Sequence, residues 1–117
     1  MAKDDYFTMV AKILVYLYRK LKHKTTLIVD EYLQPNTKDF PVQNDYFDYV
    51  LEQMVEQGLI SGVTVTHAWG EGNPVMVEIT NRIQITAAGI EYLRNNSTIN
   101  KLIHEIPMAA SIASLFE

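Results

Sequence analysis

The side chains best suited to chemistry in this sequence are its carboxylates, its histidines and one glycine-rich turn. His23, His67 and His104 lie far apart, and no two have the His-x-x-x-His spacing that puts paired metal ligands on one helical face. Residues 70–72, Gly-Glu-Gly, lack the third glycine and the Lys-Ser/Thr of a phosphate-binding loop, so we expect a hairpin turn there. With no cysteine and no Gly-x-Ser-x-Gly elbow, no nucleophile is marked. We therefore expect no metal, no cofactor, no small-molecule substrate and no enzymatic activity.

Many of the acids fall on one predicted helix, which begins near Asn44 and ends before Gly58. Four carboxylates are spaced three, four and four residues apart along it, which aligns them in one row: Asp45, Asp48, Glu52 and Glu56. We expect these carboxylates to be solvated, so that their pKa values are not shifted by burial. Two interpretations stay open: a solubilising face, or a docking face for a basic or polar protein. The candidate docking residues are Asp45, Asp48, Tyr49, Glu52, Gln53, Glu56 and Trp69.

Trp69, the only tryptophan, falls at the predicted tip of the hairpin. It either folds back onto the core or forms an exposed anchor for a partner, because an indole combines a large apolar area with one polar N–H group.

A basic run near the end of the first predicted helix is the best candidate for binding phosphate. The net charge of −4 disfavours broad attraction to nucleic acid, although a local basic patch still acts within an acidic protein. The run is either a solvated helix end or a nucleic-acid contact. The candidate contacts are Arg19, Lys20, Lys22 and Lys24, with Lys38 and Arg82 as helpers.

Length and composition indicate an ordinary globular chain. With 117 residues, 48% apolar and 21% charged, we expect a single domain over residues 1–106, followed by a tail at 107–117. No apolar run approaches the roughly 20 residues that a membrane-spanning helix needs. The first residues lack the apolar region of a secretory signal, so we expect a cytoplasmic protein.

Periodicity predicts three helices before the strands. The first covers residues 4–22, with one apolar face formed by Phe7, Val10, Leu14, Leu17, Tyr18 and Leu21. Thr25 or Thr26 is expected to cap a short second helix within 27–33, although this segment also suits a strand. Residues 34–43 form a loop. Asn44 is expected to cap the third helix, whose apolar face holds Phe47, Val50, Leu51, Met54 and Val55.

After Gly58, which suits a helix C-terminus, the period changes to two and predicts a hairpin. Gly62 marks a possible bulge, and Asn81 marks a break or the start of a third strand. Thr86 and Ser97 are expected to cap two further helices, the second of which stops at Pro107. Three helices followed by a hairpin is the element order of a winged helix-turn-helix, here with extra C-terminal helices.

Two segments, 45–63 and 81–106, resemble the YjcQ-like family of small winged-helix proteins from Firmicutes and their phages. The first segment carries Gly58, Leu59, Ile60 and Gly62 of the family pattern. The second carries Ile85, Thr86, Gly89, Ile90, Tyr92, Leu93, Asn96 and Ser97. The resemblance implies the fold. It implies no activity, because the family has no established one and a fold alone does not assign function.

The sequence therefore predicts a mainly α, non-enzymatic winged-helix binding module with a small antiparallel β-hairpin wing. Two functions stay open, a DNA-associated regulator of bacterial or phage origin and a protein-interaction module that uses its acidic third helix. We expect a homodimer formed through helical contacts. The tail is expected to be a helix that packs either on its own domain or on the second copy, through Met108, Ile112, Leu115 and Phe116.

Overall fold

The computed structural model describes residues 5–23, 25–67 and 75–103. Within them the helices are α1 Asp5–Leu21, α2 Val29–Tyr32, α3 Asn44–Glu56, α4 Ala87–Asn95 and α5 Ser97–Ile103, and the strands are β1 Ile60–His67 and β2 Val75–Ile85. Three helices precede the strands and two follow them. This order confirms a mainly helical chain with one antiparallel hairpin, as the sequence predicts.

The core is built around α1, which contacts α3, α4, α5 and β2. Every residue from Met9 to Leu17 is buried except Lys12, which is half-buried. A helix that is buried on nearly all sides lies inside a protein and does not merely cover one flank of it. The single apolar face predicted for this helix was therefore too narrow. It also included Leu21, whose side chain is 46% exposed at the end of the helix.

The segment between α1 and α3 is held by side chains that the helices bury. The Tyr16 hydroxyl donates to the carbonyl of Leu27 over 2.8 Å, and the ring of Tyr32 packs between those of Tyr16 and Phe40. The expected threonine cap of α2 was wrong. The helix begins after Ile28 without a side-chain cap, because Thr25 lies too early in the chain and its Oγ1 accepts from the Leu27 N–H instead.

The loop at residues 33–43 is folded back on itself and anchored to the core. The Asn36 N–H donates to the Val42 carbonyl over 2.9 Å, and Lys12 Nζ donates to the carbonyl of Asp39 over 2.7 Å. Phe40 and Val42 are buried beneath it. A loop that contributes two core side chains fixes where α3 begins.

Asn44 does not cap α3, contrary to the expectation. The helix begins at Asn44 itself, Gln43 occupies the cap position without a side-chain bond, and Asn44 Oδ1 accepts from Asn36 Nδ2 over 3.1 Å. The predicted C-terminus is confirmed. Gly58 has φ +72°, and the N–H groups of Gly58 and Leu59 donate to the Val55 and Met54 carbonyls, which is the Schellman arrangement.

The hairpin contains the predicted bulge at Gly62. Ser61 pairs with Gln84 and Val63 pairs with Ile79, so Gly62 faces residues 80–83 of β2. Asn81 lies within this excursion, and β2 continues through it without starting a third strand. A Cβ atom at Gly62 would collide with the backbone carbonyl of Arg82. The two strands approach this closely only because the residue has no side chain.

The last two helices begin at different kinds of cap. Thr86 caps α4 as predicted, because its Oγ1 accepts from the Gly89 N–H over 3.0 Å. The cap predicted at Ser97 was wrong by one residue, since Asn96 Oδ1 accepts from the Ile99 N–H over 3.0 Å. Leu93 and Ile99 are fully buried, so both helices close the core over α1.

Candidate interaction surfaces

The outward side of α3 is an acidic ridge that also carries an exposed aromatic ring. Asp45 and Glu56 are exposed, Glu52 and Gln53 are half-buried, and Tyr49 is 50% exposed. Of the apolar face that the sequence assigns to this helix, Val55 is half-buried and the other four residues are buried on the opposite side: Phe47, Val50, Leu51 and Met54. The helix is therefore a core element whose solvent side combines charge with aromatic area.

Tyr49 belongs to a cluster of tyrosines that joins α3 to the start of α1. Its ring stacks on that of Tyr46, with centroids 6.2 Å apart and an interplanar angle of 18°, and lies 6.3 Å from the ring of Tyr6. Gln57 Nε2 donates to the Tyr6 hydroxyl over 3.2 Å. Sequence reasoning missed Tyr6, because only the tertiary fold brings residues so distant in the chain together.

Asp48 leaves the ridge and faces a groove formed by α2, α3 and β2. Asp30, Asp48 and Glu78 contribute carboxylates to this groove, which has a volume of 270 Å³. Its floor includes the buried side chains of Leu33, Phe47 and Leu51. None of the residues that line it is Lys, Arg or His. We call it the acidic groove; it has an apolar floor and a negatively charged rim.

The expectation that every carboxylate of the third helix is solvated was wrong for Asp48. This side chain is half-buried, and its pKa lies above the ordinary value of 3.8, first because burial desolvates the charged form and second because Asp45 is close. Within the described chain no cation offsets these effects in the groove. Asp48 is therefore a carboxylate whose charged form is stabilised by the approach of a cation.

A second cleft, between the end of α1 and the middle of β2, has the opposite character. Lys20 and Arg82, two of the candidate nucleic-acid contacts, line it together with His23. The side-chain amides of Asn81 and Gln84 complete its polar wall, and its volume is 240 Å³. No carboxylate is among the residues that line it. We call it the basic cleft.

The remaining candidate nucleic-acid contacts do not join this cleft. Arg19 is half-buried outside its lining. The ammonium group of Lys22 lies 5.3 Å from the centroid of the Tyr18 ring, and Lys38 is exposed on the loop before α3. Lys24 lies outside the described residues. The structure thus divides the basic run and joins one of its members, Lys20, to the distant Arg82.

Several other candidates also fall outside the described residues. They are Trp69 and the tail positions Met108, Ile112, Leu115 and Phe116. In the part of the chain that the structure does describe, no group of three His, Asp or Glu side chains is placed to hold a metal ion. No helix in that part is both long enough and apolar enough to cross a bilayer.

Comparison with known proteins identifies the family. A family model described as YjcQ protein matches residues 11–109, which includes both segments that carry the sequence resemblance. The chain matches no curated protein and no solved structure. Since the family model spans most of the 117 residues, the chain belongs to the YjcQ family.

Proposed function

We propose that this protein is a non-enzymatic winged-helix module that docks a basic protein partner on α3 and the acidic groove. The winged-helix assignment is supported by the element order, in which α1, α2 and α3 precede a single hairpin of β1 and β2. In that fold the third helix and the hairpin flank the surface that usually meets DNA. Here the corresponding elements form the acidic groove.

The observation that carries the proposal is the charge of this surface. Asp48 of α3 and Glu78 of β2 face one groove with Asp30, without a cation among the residues that line it. Phosphate groups would be repelled there, because affinity for nucleic acid comes mostly from neutralising them with Lys and Arg. A lysine or arginine of a partner protein fits better: its alkyl stem covers the apolar floor while its charge meets the rim.

The tyrosine cluster supports a protein partner independently of charge. Tyr49 is half-exposed and is held between Tyr46 and Tyr6. Ordered tyrosines supply large contact areas at low cost in conformational entropy, and they are enriched among the residues that dominate binding energy at protein interfaces.

Charge reversal on this surface tests the proposal. The variant Asp48→Lys with Glu52→Lys should abolish the binding of a partner captured by the wild-type chain, because it places two cations opposite a basic partner. The matched control is Glu31→Lys with Glu91→Lys. It changes the net charge by the same amount at exposed positions outside the groove.

Binding is measured by calorimetry with the purified partner, and circular dichroism checks that all variants are folded. Loss of affinity in the first variant alone supports docking on α3. If both variants bind as the wild type does, the acidic face only solvates the protein and the proposal fails.

DNA association is the second candidate function, because the fold brings Lys20 and Arg82 into one cleft. Duplex DNA would then bind through the basic cleft, and α3 would contribute little phosphate contact. The wild-type chain should be retained on heparin and on duplex DNA at low salt, where electrostatic affinity is greatest.

The double variant Lys20→Ala with Arg82→Ala should lose this retention. The pair Lys38→Ala with Lys101→Ala, exposed and outside the cleft, removes equal charge and should keep most of it. Absence of any duplex binding at about 50 mM salt contradicts DNA association. A homodimer, a cytoplasmic location and an origin in Firmicutes or their phages stay predictions.

A further inference from the structure

The α1 side of the basic cleft is shaped by a tight turn at the end of the helix. His23 has φ +57°, and its N–H donates to the carbonyl of Lys20 over 3.1 Å. This turn returns the chain toward the helix, so that Lys20 and His23 line the same cleft. The Lys22 N–H likewise donates to the Tyr18 carbonyl. Two carbonyls at the negative end of the helix dipole are therefore already engaged in hydrogen bonds.

The opposite wall is the excursion of β2 across from Gly62. The Thr80 hydroxyl donates to the Gly62 carbonyl over 2.5 Å and accepts from the Arg82 N–H over 3.2 Å. These two bonds fix the backbone on both sides of Asn81. The excursion of β2 thus presents the side chains of Asn81 and Arg82 from an ordered segment, while Ile83 next to them is 2% exposed and anchors the strand in the core.

The chemistry of the cleft suits an anion. Arg82 offers a planar fork of N–H donors, Lys20 a compact ammonium, and the amides of Asn81 and Gln84 further donors. No carboxylate lines the cleft, although the chain holds 14 acidic residues against 10 Lys and Arg. The buried side chains of Leu17 and Ile83 form the apolar part of its lining.

We propose that the basic cleft is a binding site for a single phosphate group. Arg82 binds two phosphate oxygens through its fork, Lys20 supplies a second positive charge, and the amides of Asn81 and Gln84 donate to the remaining oxygens. The site is distinct from the acidic groove and does not depend on the docking proposed for α3. It takes phosphate from a polynucleotide backbone or from a free phosphate compound, since both present the same oxygens.

Titration of the full chain with inorganic phosphate, followed by nitrogen–proton NMR, tests the site. The backbone signals of His23, Asn81 and Arg82 should shift with saturation as phosphate is added. Sodium chloride at matched ionic strength should not reproduce this pattern, because a single chloride ion lacks the separate oxygens that phosphate offers to Arg82, Lys20 and the two amides. No saturable shift of these signals overturns the proposal.

Two variants and one control locate the contact. Arg82→Gln should weaken phosphate binding about tenfold, the effect of losing one charge-assisted hydrogen-bonding group. Asn81→Asp, at an exposed position, places a carboxylate in the cleft and should abolish binding without disturbing the core. Lys38→Gln removes the same charge from the loop before α3 and should bind phosphate as the wild type does. Equal weakening by Lys38→Gln would show that only net charge matters and would overturn the site.

The source of the phosphate is decided by competition. A short DNA duplex and its single strand are added to the phosphate-saturated protein at constant ionic strength. Displacement of phosphate from Asn81 and Arg82 identifies a polynucleotide backbone as the source. Retention of phosphate in the presence of the duplex and of the single strand identifies a free phosphate compound as the source. The phosphate site is supported by either result.

Discussion

Gly58 and Gly62 share a left-handed backbone but differ in what surrounds them. Gly58 has φ +72° and no atom within 4 Å of the position of a Cβ, whereas Gly62 has φ +80° and faces the backbone of Arg82 at that position. The role of each glycine could be predicted from its place in the sequence: Gly58 follows a helical pattern and Gly62 interrupts an alternating one. The closeness of Arg82 does not follow, because it depends on how many residues the partner strand places opposite the bulge.

Alanine substitutions at these two positions should therefore have unequal effects. Gly58→Ala should lower the free energy of unfolding by about 1 kcal/mol, the cost of a left-handed backbone with a side chain. Gly62→Ala adds a steric collision and should lower it by about 2–4 kcal/mol. Urea denaturation of both variants measures the difference. Equal losses would mean that the strands separate at the bulge without cost.

Asp48 shows a conflict between stability and surface chemistry at a single residue. Its pKa is raised in the folded protein by burial and by Asp45. The folded state therefore favours the protonated form of Asp48. Protonation stabilises the fold fully when the pH is below 3.8, the pKa of the unfolded state, and this stabilisation is lost as the pH rises through the higher pKa of the folded state. At neutral pH the charged side chain opposes folding, which agrees with the binding role proposed for it.

Asp48→Asn should consequently raise the free energy of unfolding at neutral pH, by a modest amount because solvent screens this partly exposed group. The gain should vanish at a pH well below 3.8, where the aspartate is protonated in both states. Denaturation at the two pH values measures it, with Glu91→Gln on α4 as the control for removing one exposed charge. A neutral-pH loss of stability would indicate a favourable interaction of the carboxylate in the folded chain.

Helix ends show which parts of an element a sequence predicts. Thr86 was predicted as the cap of α4 and serves as one, with a further bond in which its hydroxyl donates to the Gly58 carbonyl over 2.6 Å. At α5 the sequence offers Asn96 and Ser97 side by side, and either residue type caps a helix well. The local sequence does not predict which of these two neighbours is the cap, because the backbone angles that determine where α5 begins are set by packing.

Alanine substitutions at Thr86 and at Ser97 should distinguish a residue that caps its helix from one that does not. Thr86→Ala should lower the free energy of unfolding by about 1–2 kcal/mol, because it leaves the Gly89 N–H without its acceptor. Ser97→Ala should change it by less than about 0.5 kcal/mol, since the exposed serine is not the cap. Thermal denaturation compares the two variants. An equal loss from Ser97→Ala would transfer the cap to Ser97.

The long periodic elements were predicted with nearly their observed bounds, whereas the short second helix was predicted only as an alternative to a strand. The bounds of α1, α3 and the hairpin follow from apolar periods of many residues, while α2 has four residues and no side-chain cap. Its position depends on Tyr32 packing against Tyr16 and Phe40. These contacts join three segments separated by turns, and no local signal in the sequence specifies them.

At the scale of the whole molecule, the net charge of −4 conceals two surfaces of opposite sign. The sequence identified Asp48 and Arg82 as candidates, but assigned the first to a continuous row and the second to a supporting role. Folding moves Asp48 beside Asp30 and Glu78, and Arg82 beside Lys20. The partners of each come from other elements, so only the tertiary structure shows which charges act together.

The predicted homodimer belongs to the same scale. If the tail joins the two copies, removal of residues 108–117 should convert the dimer into a monomer. The reason is that it deletes the apolar stripe of Met108, Ile112, Leu115 and Phe116, and such stripes mark interaction sites. Sedimentation equilibrium measures the mass of both chains. An unchanged mass would remove the tail as the element that joins two copies.

The strand β2 supplies residues to both surfaces within a short length. Glu78 lines the acidic groove and Arg82 lines the basic cleft, and Thr80 between them is bonded to Gly62 and to the Arg82 N–H. If both proposed ligands bind, each contacts the same piece of backbone. Thermodynamic linkage requires any coupling between them to be reciprocal: whatever a bound lysine at Glu78 does to phosphate affinity, phosphate does in equal measure to the lysine.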